Sequence, residues 1–222
     1  MKITNRFLIL TIALFLSASS IAQDMRFGVF ADPQLTWFTS DTRDFKPNGP
    51  VFGFNTGFSF DRYFAERYAF TTGASITNIG GNLLYTDDSY TLSTRDEEYD
   101  IPSETNLRIK GQYVNIPLGF KFKTNQIGYI TIYAQLGING YLKLKGFAWN
   151  EDLGINREVV KDKHMKFGFI SYMFGGGIEY SLGGPSALQI GVTFSNGMTP
   201  AFDAGHGVIS IGNLALRLGV VF

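Results

Sequence analysis

The sequence contains no cysteine. Disulfides, thiolate metal sites, a cysteine nucleophile and a cysteine-linked lipoprotein anchor are therefore excluded. Charge is also scarce: only 17% of the 222 residues are charged, and the formal net charge is +0, so there is no electrostatic basis for binding nucleic acid. After the first 22 residues, no apolar stretch reaches the roughly 18 residues that a transmembrane helix requires.

Aromatic residues and glycine are abundant instead. The chain has 21 Phe, 11 Tyr and 26 Gly, and its mean hydropathy is close to zero. A soluble enzyme usually has more charge and fewer aromatics, whereas a helical membrane protein is far more hydrophobic. This composition fits a barrel that is apolar outside and polar inside.

The first 22 residues have the pattern of a secretory signal peptide. Two basic residues precede an apolar segment over residues 7–16, and Ser20–Ala22 places small residues at the −3 and −1 positions of a cleavage site. A permanent N-terminal anchor is the alternative, but the apolar segment is short for one. The sequence therefore predicts a signal peptide over 1–22 and one exported domain over 23–222.

The mature chain alternates apolar and polar residues with a period of two, which predicts β-strands. In the segment Tyr129–Lys145, large aliphatic residues alternate with polar residues and glycine, and two lysines, Lys143 and Lys145, end the inner face. The last segment ends on Phe222, a terminal aromatic that resembles the signal recognised by outer-membrane assembly machinery. Eight segments show this alternation, at about 26–39, 51–61, 67–78, 107–123, 129–145, 166–182, 187–196 and 213–222.

The two faces of these segments differ in size as well as polarity. One face is bulky and nearly free of charge, while the other carries mainly Gly, Asn, Ser and Thr. A soluble lipocalin-type barrel, the alternative, would turn the bulky face inward. Small side chains suit the narrow interior of eight strands. The predicted fold is therefore all-β: an eight-stranded antiparallel up-and-down transmembrane β-barrel.

Short and long connections alternate along the chain. The short ones cover 62–66, 124–128 and 183–186; the long ones cover 40–50, 79–106, 146–165 and 197–208. This alternation is typical of barrels in the bacterial outer membrane, with short turns in the periplasm and long loops outside. Aromatic residues near the strand ends predict two interfacial girdles, an upper one at Trp37 and a lower one at Tyr63, Tyr68, Tyr180 and Phe222.

One segment of the fourth strand resembles a known family. Tyr113–Lys121 (YVNIPLGFK) is similar to the Tyr-aliphatic-x-Ile-Pro-Leu-x-x-Lys strand of the PorT-like family of small outer-membrane barrels, and Phe167-Gly168 and Gly175–Glu179 resemble its penultimate hairpin. The resemblance covers the whole mature chain and implies the barrel fold in a Gram-negative envelope. The named member of that family is linked to secretion.

Five charged residues are predicted to face the lumen near the periplasmic strand ends: Asp61, Arg67, Lys121, Glu179 and Arg217. Unpaired charges are costly in a narrow lumen, so we expect these side chains to form a network. The network is either a structural plug or a gate or proton path, and the plug is favoured. An open solute pore is not expected, because eight strands enclose too little space.

The outer loops contain the candidates for chemistry. His206–Ser210 or His164–Ser171 could form the base and nucleophile of an enzyme that modifies lipid A or phospholipid, but no motif supplies the third, orienting group. Loop 79–106 is acidic and could bind Ca²⁺ or bridge through cations to lipopolysaccharide phosphates, yet it lacks EF-hand spacing. A solvated, mobile loop is favoured, and no metal or cofactor is predicted.

The sequence therefore predicts an integral barrel without catalytic activity. A structural role, a role in secretion and ligand binding by the loops all remain open. The expected partners are outer-membrane lipids and lipopolysaccharide, the barrel-assembly machinery, and a protein or ligand at the outer loops. The barrel is expected to be a monomer.

Overall fold

The computed structural model describes residues 25–41, 44–86, 89–161, 165–203 and 208–222. The predicted signal peptide, His164 and His206 lie outside these ranges. No helix in the described ranges is long and apolar enough to cross a membrane. The strands are β1 (Met25–Ser40), β2 (Phe45–Pro47), β3 (Val51–Ala65), β4 (Tyr68–Tyr85), β5 (Ser89–Ser93), β6 (Glu98–Pro102), β7 (Thr105–Lys123), β8 (Ile130–Asn150), β9 (Ile155–Val159), β10 (Gly168–Ser181), β11 (Ala187–Gly197), β12 (Phe202–Asp203) and β13 (Val208–Val221).

Eight long strands form a closed antiparallel barrel in the order β1-β3-β4-β7-β8-β10-β11-β13, and β1 pairs with β13 to complete it. The short strands β2, β9 and β12 extend this sheet at β4, β8 and β13, and β5 and β6 form a separate hairpin. Closure leaves the eight wall strands without a free edge, which is the condition for a β-structure to span lipid. The predicted fold class is therefore confirmed.

Pro33 interrupts the hydrogen-bond ladder of the wall between β1 and β13. It lies in a gap in the pairing of the two strands, which pair at Phe30 with Gly219 and again at Gln34 with Ala215, but at no residue between. The Asp32 side chain partly replaces the missing bond, because its Oδ1 accepts from the Leu218 backbone N–H at 3.4 Å. Proline has no backbone N–H to donate to the neighbouring strand. At this point a lumen side chain, rather than the backbone, therefore hydrogen-bonds β1 to β13.

The alternation runs in the predicted direction. Bulky side chains on the lipid side of the wall have about half of their surface exposed, including Leu35, Leu136, Phe174 and Val192. The inward positions carry polar groups that are almost fully buried, such as Thr36, Asn139 and Ser171. Because this bulky face is turned outward rather than into the lumen, the outside of the barrel matches the hydrocarbon of a bilayer.

Most of the predicted girdle residues face lipid. Tyr68, Tyr180 and Phe222 are exposed at the periplasmic end, and Trp37 lies on the outer face near the other end. Tyr63 was predicted in the lower girdle, and this is wrong. It shares a face with Asp61, two residues before it, and its ring lies 5.1 Å from the Lys123 ammonium inside the barrel. The role of Phe222 as an assembly signal stays a prediction.

The outer ends of the strands fold into a cap over the lumen. β4, β7 and β8 all extend beyond their predicted ends, and the β5–β6 hairpin packs on them. Their inward apolar side chains form a buried core that includes Leu83, Leu92, Ile101 and Ile109. The expectation of a loop over 79–106 is therefore wrong for the described residues that form strands, because their apolar residues continue the inward alternation of the wall. The described carboxylates of this segment are solvent-exposed, as predicted.

A β-bulge reverses the faces near the outer end of β8. The pairing with β7 shifts from Tyr113↔Lys143 to Gln112↔Lys145, which leaves Leu144 without a partner. From that point the even-numbered residues face inward, so Ala148 is fully buried and Lys145 is exposed. The prediction that Lys145 points into the lumen is wrong, since strict alternation holds only up to the bulge.

Candidate functional site: the filled lumen

A network of buried ion pairs fills the periplasmic third of the lumen. The Lys121 ammonium lies 2.7 Å from Asp61 Oδ2 and 2.8 Å from Glu179 Oε1. Glu179 also pairs with Lys123 and, at 3.2 Å, with Arg26. Lys121, Asp61 and Glu179 are each at most 3% exposed, so water contributes little to their solvation.

The strand register brings these residues to one height. Asp61 pairs with Thr71 across β3 and β4, and Ala69 of β4 pairs with Lys121 of β7. The Thr71 hydroxyl donates to Asp61 Oδ1 at 2.7 Å. Charges removed from water in this way must be paired and hydrogen-bonded to be tolerated. The three cations of the network thus face two carboxylates, so most of its charge is compensated by ion pairing inside the barrel.

A second ion pair lies further up the lumen. Arg217 of β13 is 3.0 Å from Asp32 Oδ1 of β1, and its guanidinium stacks 3.9 Å from the ring centroid of Phe30. The Tyr133 ring fills the space next to this pair, and the Lys121 ammonium lies 5.0 Å from its centroid. Aromatic rings thus lie against cations of both layers and occupy space between them.

The predicted charges are brought together only in part. Asp61, Lys121 and Glu179 form one network, whereas Arg217 joins Asp32 in a separate pair. The prediction that Arg67 faces the lumen is wrong: its side chain is exposed in the turn between β3 and β4. β4 begins one residue later than predicted, so Arg67 is not a lumen residue.

Three network members were missed by sequence reasoning: Arg26, Asp32 and Lys123. Each was detectable, because Arg26 and Asp32 alternate with outward Phe27 and Val29, and Lys123 follows Lys121 on the inner face. Arg26 and Lys123 lie near strand ends, where charge usually indicates solvent exposure, and Pro33 interrupts the alternation next to Asp32.

Neutral polar side chains occupy the middle of the lumen. Gln34 donates to Thr77 at 2.8 Å, Gln135 donates to Thr193 at 3.3 Å, and Asn139 lies 3.4 Å from the Ser171 hydroxyl. They surround a cavity of about 40 Å³. A buried water needs roughly 10–15 Å³ by the same kind of measure, so the cavity has room for about three.

An aromatic layer closes this polar section on its outer side. Tyr141 stacks on Phe169 with ring centroids 4.4 Å apart, and Tyr113 meets both rings edge-on, at 6.2 Å and 5.3 Å. These rings are the lowest members of the buried core that continues into the cap. The lumen is therefore filled along its length by ion pairs, amides, aromatic rings and apolar side chains in turn.

The described residues offer little for catalysis or metal binding. Ser171 and Ser210, the hydroxyls that the sequence paired with histidines, are both buried, and Ser171 lies beside the Asn139 amide. In the ranges that the structure covers, no three His, Asp or Glu side chains are placed to hold a metal ion.

Comparison with known proteins places this architecture in a family. The family described as outer membrane protein beta-barrel domain matches residues 21–203. Among solved structures, Neisserial surface protein A (NspA) is similar, with TM-score 0.47, 13% identity and coverage of 88% of this chain and 95% of that chain. Ail of Yersinia pestis has TM-score 0.44, 13% identity and coverage of 90% and 99%. OprG of Pseudomonas aeruginosa has TM-score 0.43, 12% identity and coverage of 89% and 94%.

No curated protein sequence matches the chain. The family match spans most of the barrel strands, and the closed eight-stranded architecture agrees with it. The chain belongs to the outer membrane protein beta-barrel domain family, and its place is the outer membrane.

Proposed function

We propose that this protein is a closed, non-enzymatic barrel that holds a folded cap at the cell surface. The observation that carries the proposal is the continuous filling of the lumen from the Lys121 network to the cap core. A barrel whose interior is packed cannot serve as a solute pore, and its structured part outside the membrane is the cap. Binding at the cap, rather than transport, is the function that this architecture supports best.

The cap combines a buried anchor with an exposed acidic surface that a partner could contact. Leu92 and Ile101 anchor its hairpin in the buried core, while Glu97, Glu98 and Asp100 remain exposed on it. A hairpin held by buried side chains keeps one shape, so a partner need not order it on binding.

Membership in the PorT-like group is part of the proposal, and its support is the Tyr113–Lys121 segment. Three inward residues of that segment lie in three different layers of the lumen. Tyr113 belongs to the aromatic layer, Asn115 to the polar layer and Lys121 to the ion network. A role in secretion would be exerted through the cap or the periplasmic turns, because the lumen has no room for a substrate.

Conductance tests the closed lumen. We expect the purified protein, inserted into planar lipid bilayers, to give no steady single-channel current, because the cavity among the described side chains in the centre of the lumen is only about 40 Å³. A porin of known conductance in the same bilayers confirms that insertion is detectable. Steady currents from the heat-modifiable, folded form of this protein would overturn the proposal.

Proteolysis of whole cells tests the folded cap. We expect protease added outside to leave the β5–β6 hairpin intact, and to cut it in an Ile101→Asp variant, because a carboxylate cannot be buried in the apolar core without a partner. Thr91→Asn on the exposed face of the same hairpin is the control: it keeps a donor for Asp100, its cross-strand partner, and should resist like the parent. Rapid cleavage of the parent hairpin would show that the cap is not rigid.

A further inference from the structure

The outer wall of the barrel carries a one-sided group of cations just above the apolar belt. We call Arg108, Lys110, Lys145 and Arg157 the basic rim. Along β7 the outward residues change from apolar Ile116 and Val114 to Gln112, Lys110 and Arg108, and along β8 Lys145 follows Leu142 and Leu144. The basic rim therefore begins where the hydrocarbon-facing surface ends.

Two aromatic residues lie between these cations. Lys110 pairs across the strands with Phe147, and Arg108 pairs with Trp149. The Arg157 guanidinium lies 5.1 Å from the Phe147 ring centroid. Outward aromatic side chains are typical of the membrane–water interface. The basic rim is thus at the height of the lipid headgroups.

The charge of the basic rim is not neutralised by the protein. Within the described ranges, none of its four cations makes an ion pair; Lys110 donates to the Phe52 carbonyl at 2.8 Å, and Arg108 is 3.5 Å from the Asn82 amide oxygen. Glu158 directly follows Arg157 in β9, and Glu151 and Asp152 lie in the β8–β9 turn, but none of these carboxylates forms an ion pair with the basic rim in the described ranges. Neighbouring like charges repel, so an external anion would stabilise the cluster.

Among the residues that the structure describes, the opposite wall has no comparable cluster of cations at its outer end. There Asn196, Gly212 and Trp37 form one row across β11, β13 and β1, and none of them is charged. An even ring of cations would serve only general contact with the membrane. A cluster confined to β7, β8 and β9 is instead a localised site.

We propose that the basic rim binds the phosphate groups of an anionic lipid in the outer leaflet, with Arg108, Lys110, Lys145 and Arg157 as ligands. Arginine and lysine are the side chains that bind phosphate through charge-assisted hydrogen bonds. Phe147 and Trp149 pack against the adjoining sugar or acyl region. The proposal requires that the barrel lie in the membrane, but it does not depend on whether the lumen conducts.

Tryptophan fluorescence provides the test. The chain has 2 Trp, so a Trp37→Phe background leaves Trp149, beside the basic rim, as the single reporter. Bisphosphorylated lipid A is titrated into the folded protein in zwitterionic micelles. We expect Lys110→Gln/Lys145→Gln to weaken binding about 30-fold, since each Lys or Arg near an anionic lipid surface contributes about a factor of five.

The matched control removes two exposed cations at the opposite end, Arg62→Gln/Arg67→Gln, and should bind within about twofold of the parent. Enzymatically dephosphorylated lipid A should bind the parent as weakly as the rim variant binds lipid A. If the double rim variant does not fold, the single Lys145→Gln variant, whose side chain is exposed, should lose about fivefold.

Three results would overturn the proposal. Equal losses in the rim and control variants would show non-specific attraction to charge. Undiminished binding of the dephosphorylated lipid would show that the phosphate groups are not recognised. Complete competition by inorganic pyrophosphate at equal phosphate concentration would show that a soluble anion, rather than a lipid, is the occupant.

Discussion

Replacing Lys121 by Met is expected to destabilise the barrel by about 3–5 kcal/mol, because it removes one partner from a buried ion network. Glu179 would keep Arg26 and Lys123 as partners, but Asp61 would keep only the Thr71 hydroxyl. Most of the lost stability therefore comes from burying an Asp61 carboxylate without a cationic partner. Equilibrium unfolding by urea in lipid vesicles, followed by tryptophan fluorescence, measures the change.

Two further variants identify the cause. Lys46→Met removes an exposed lysine of β2 and should change stability by less than about 0.5 kcal/mol. Adding Asp61→Asn to Lys121→Met should restore at least about 1 kcal/mol, since residues in one ion network are energetically coupled. If the double variant is no more stable than Lys121→Met alone, the burial of an unpaired Asp61 is not the source of the loss.

Replacing Tyr113 by Ala is expected to cost a similar amount, about 3–5 kcal/mol, for a different reason. The Tyr113 side chain is fully buried and contacts the Tyr141 and Phe169 rings edge-on. Gly111, on the same face of β7, leaves room for it: a Cβ built there would meet the Tyr113 ring. Truncation would open a void between the polar layer and the cap core, where neighbouring strands cannot collapse.

Tyr113→Phe is the matched control for the ring. The Tyr113 hydroxyl is buried without a hydrogen-bond partner. Removing an unsatisfied polar group is neutral or favourable, so this variant should be as stable as the parent or slightly more stable. The same urea unfolding experiment measures both variants. A loss in Tyr113→Phe comparable to that in Tyr113→Ala would show that the hydroxyl, not the ring, is what stabilises the layer.

Much of the architecture was predictable because the environment imposes it. A strand in lipid must present apolar groups on one face, so alternation identified the wall strands and the direction of each face. The same rule placed Asp61, Lys121 and Glu179 inside the barrel. The errors at Tyr63 and Arg67 come from the strand limits: β3 continues past Asp61, so Tyr63 keeps the inward face, and β4 begins only after Arg67.

The cap was missed for a related reason. Its residues look like a long acidic loop, since Asp96, Glu97 and Glu98 dominate its composition. The apolar residues that determine its fold, Leu92 and Ile101, are few and widely spaced. They become a core only when β4, β7 and β8 bring their extended inner faces around them.

The sequence by itself determined the number of wall strands and the face that each strand turns to lipid, because these follow from local periodicity. Tertiary structure decided which charges meet. Arg26 and Glu179 are 153 positions apart and touch only after the sheet has curved into a barrel. The basic rim likewise exists because a bulge in β8 turns Lys145 outward beside Lys110. One extra residue in a strand exchanges its two faces, and only the pairing with the neighbouring strand shows where that happens.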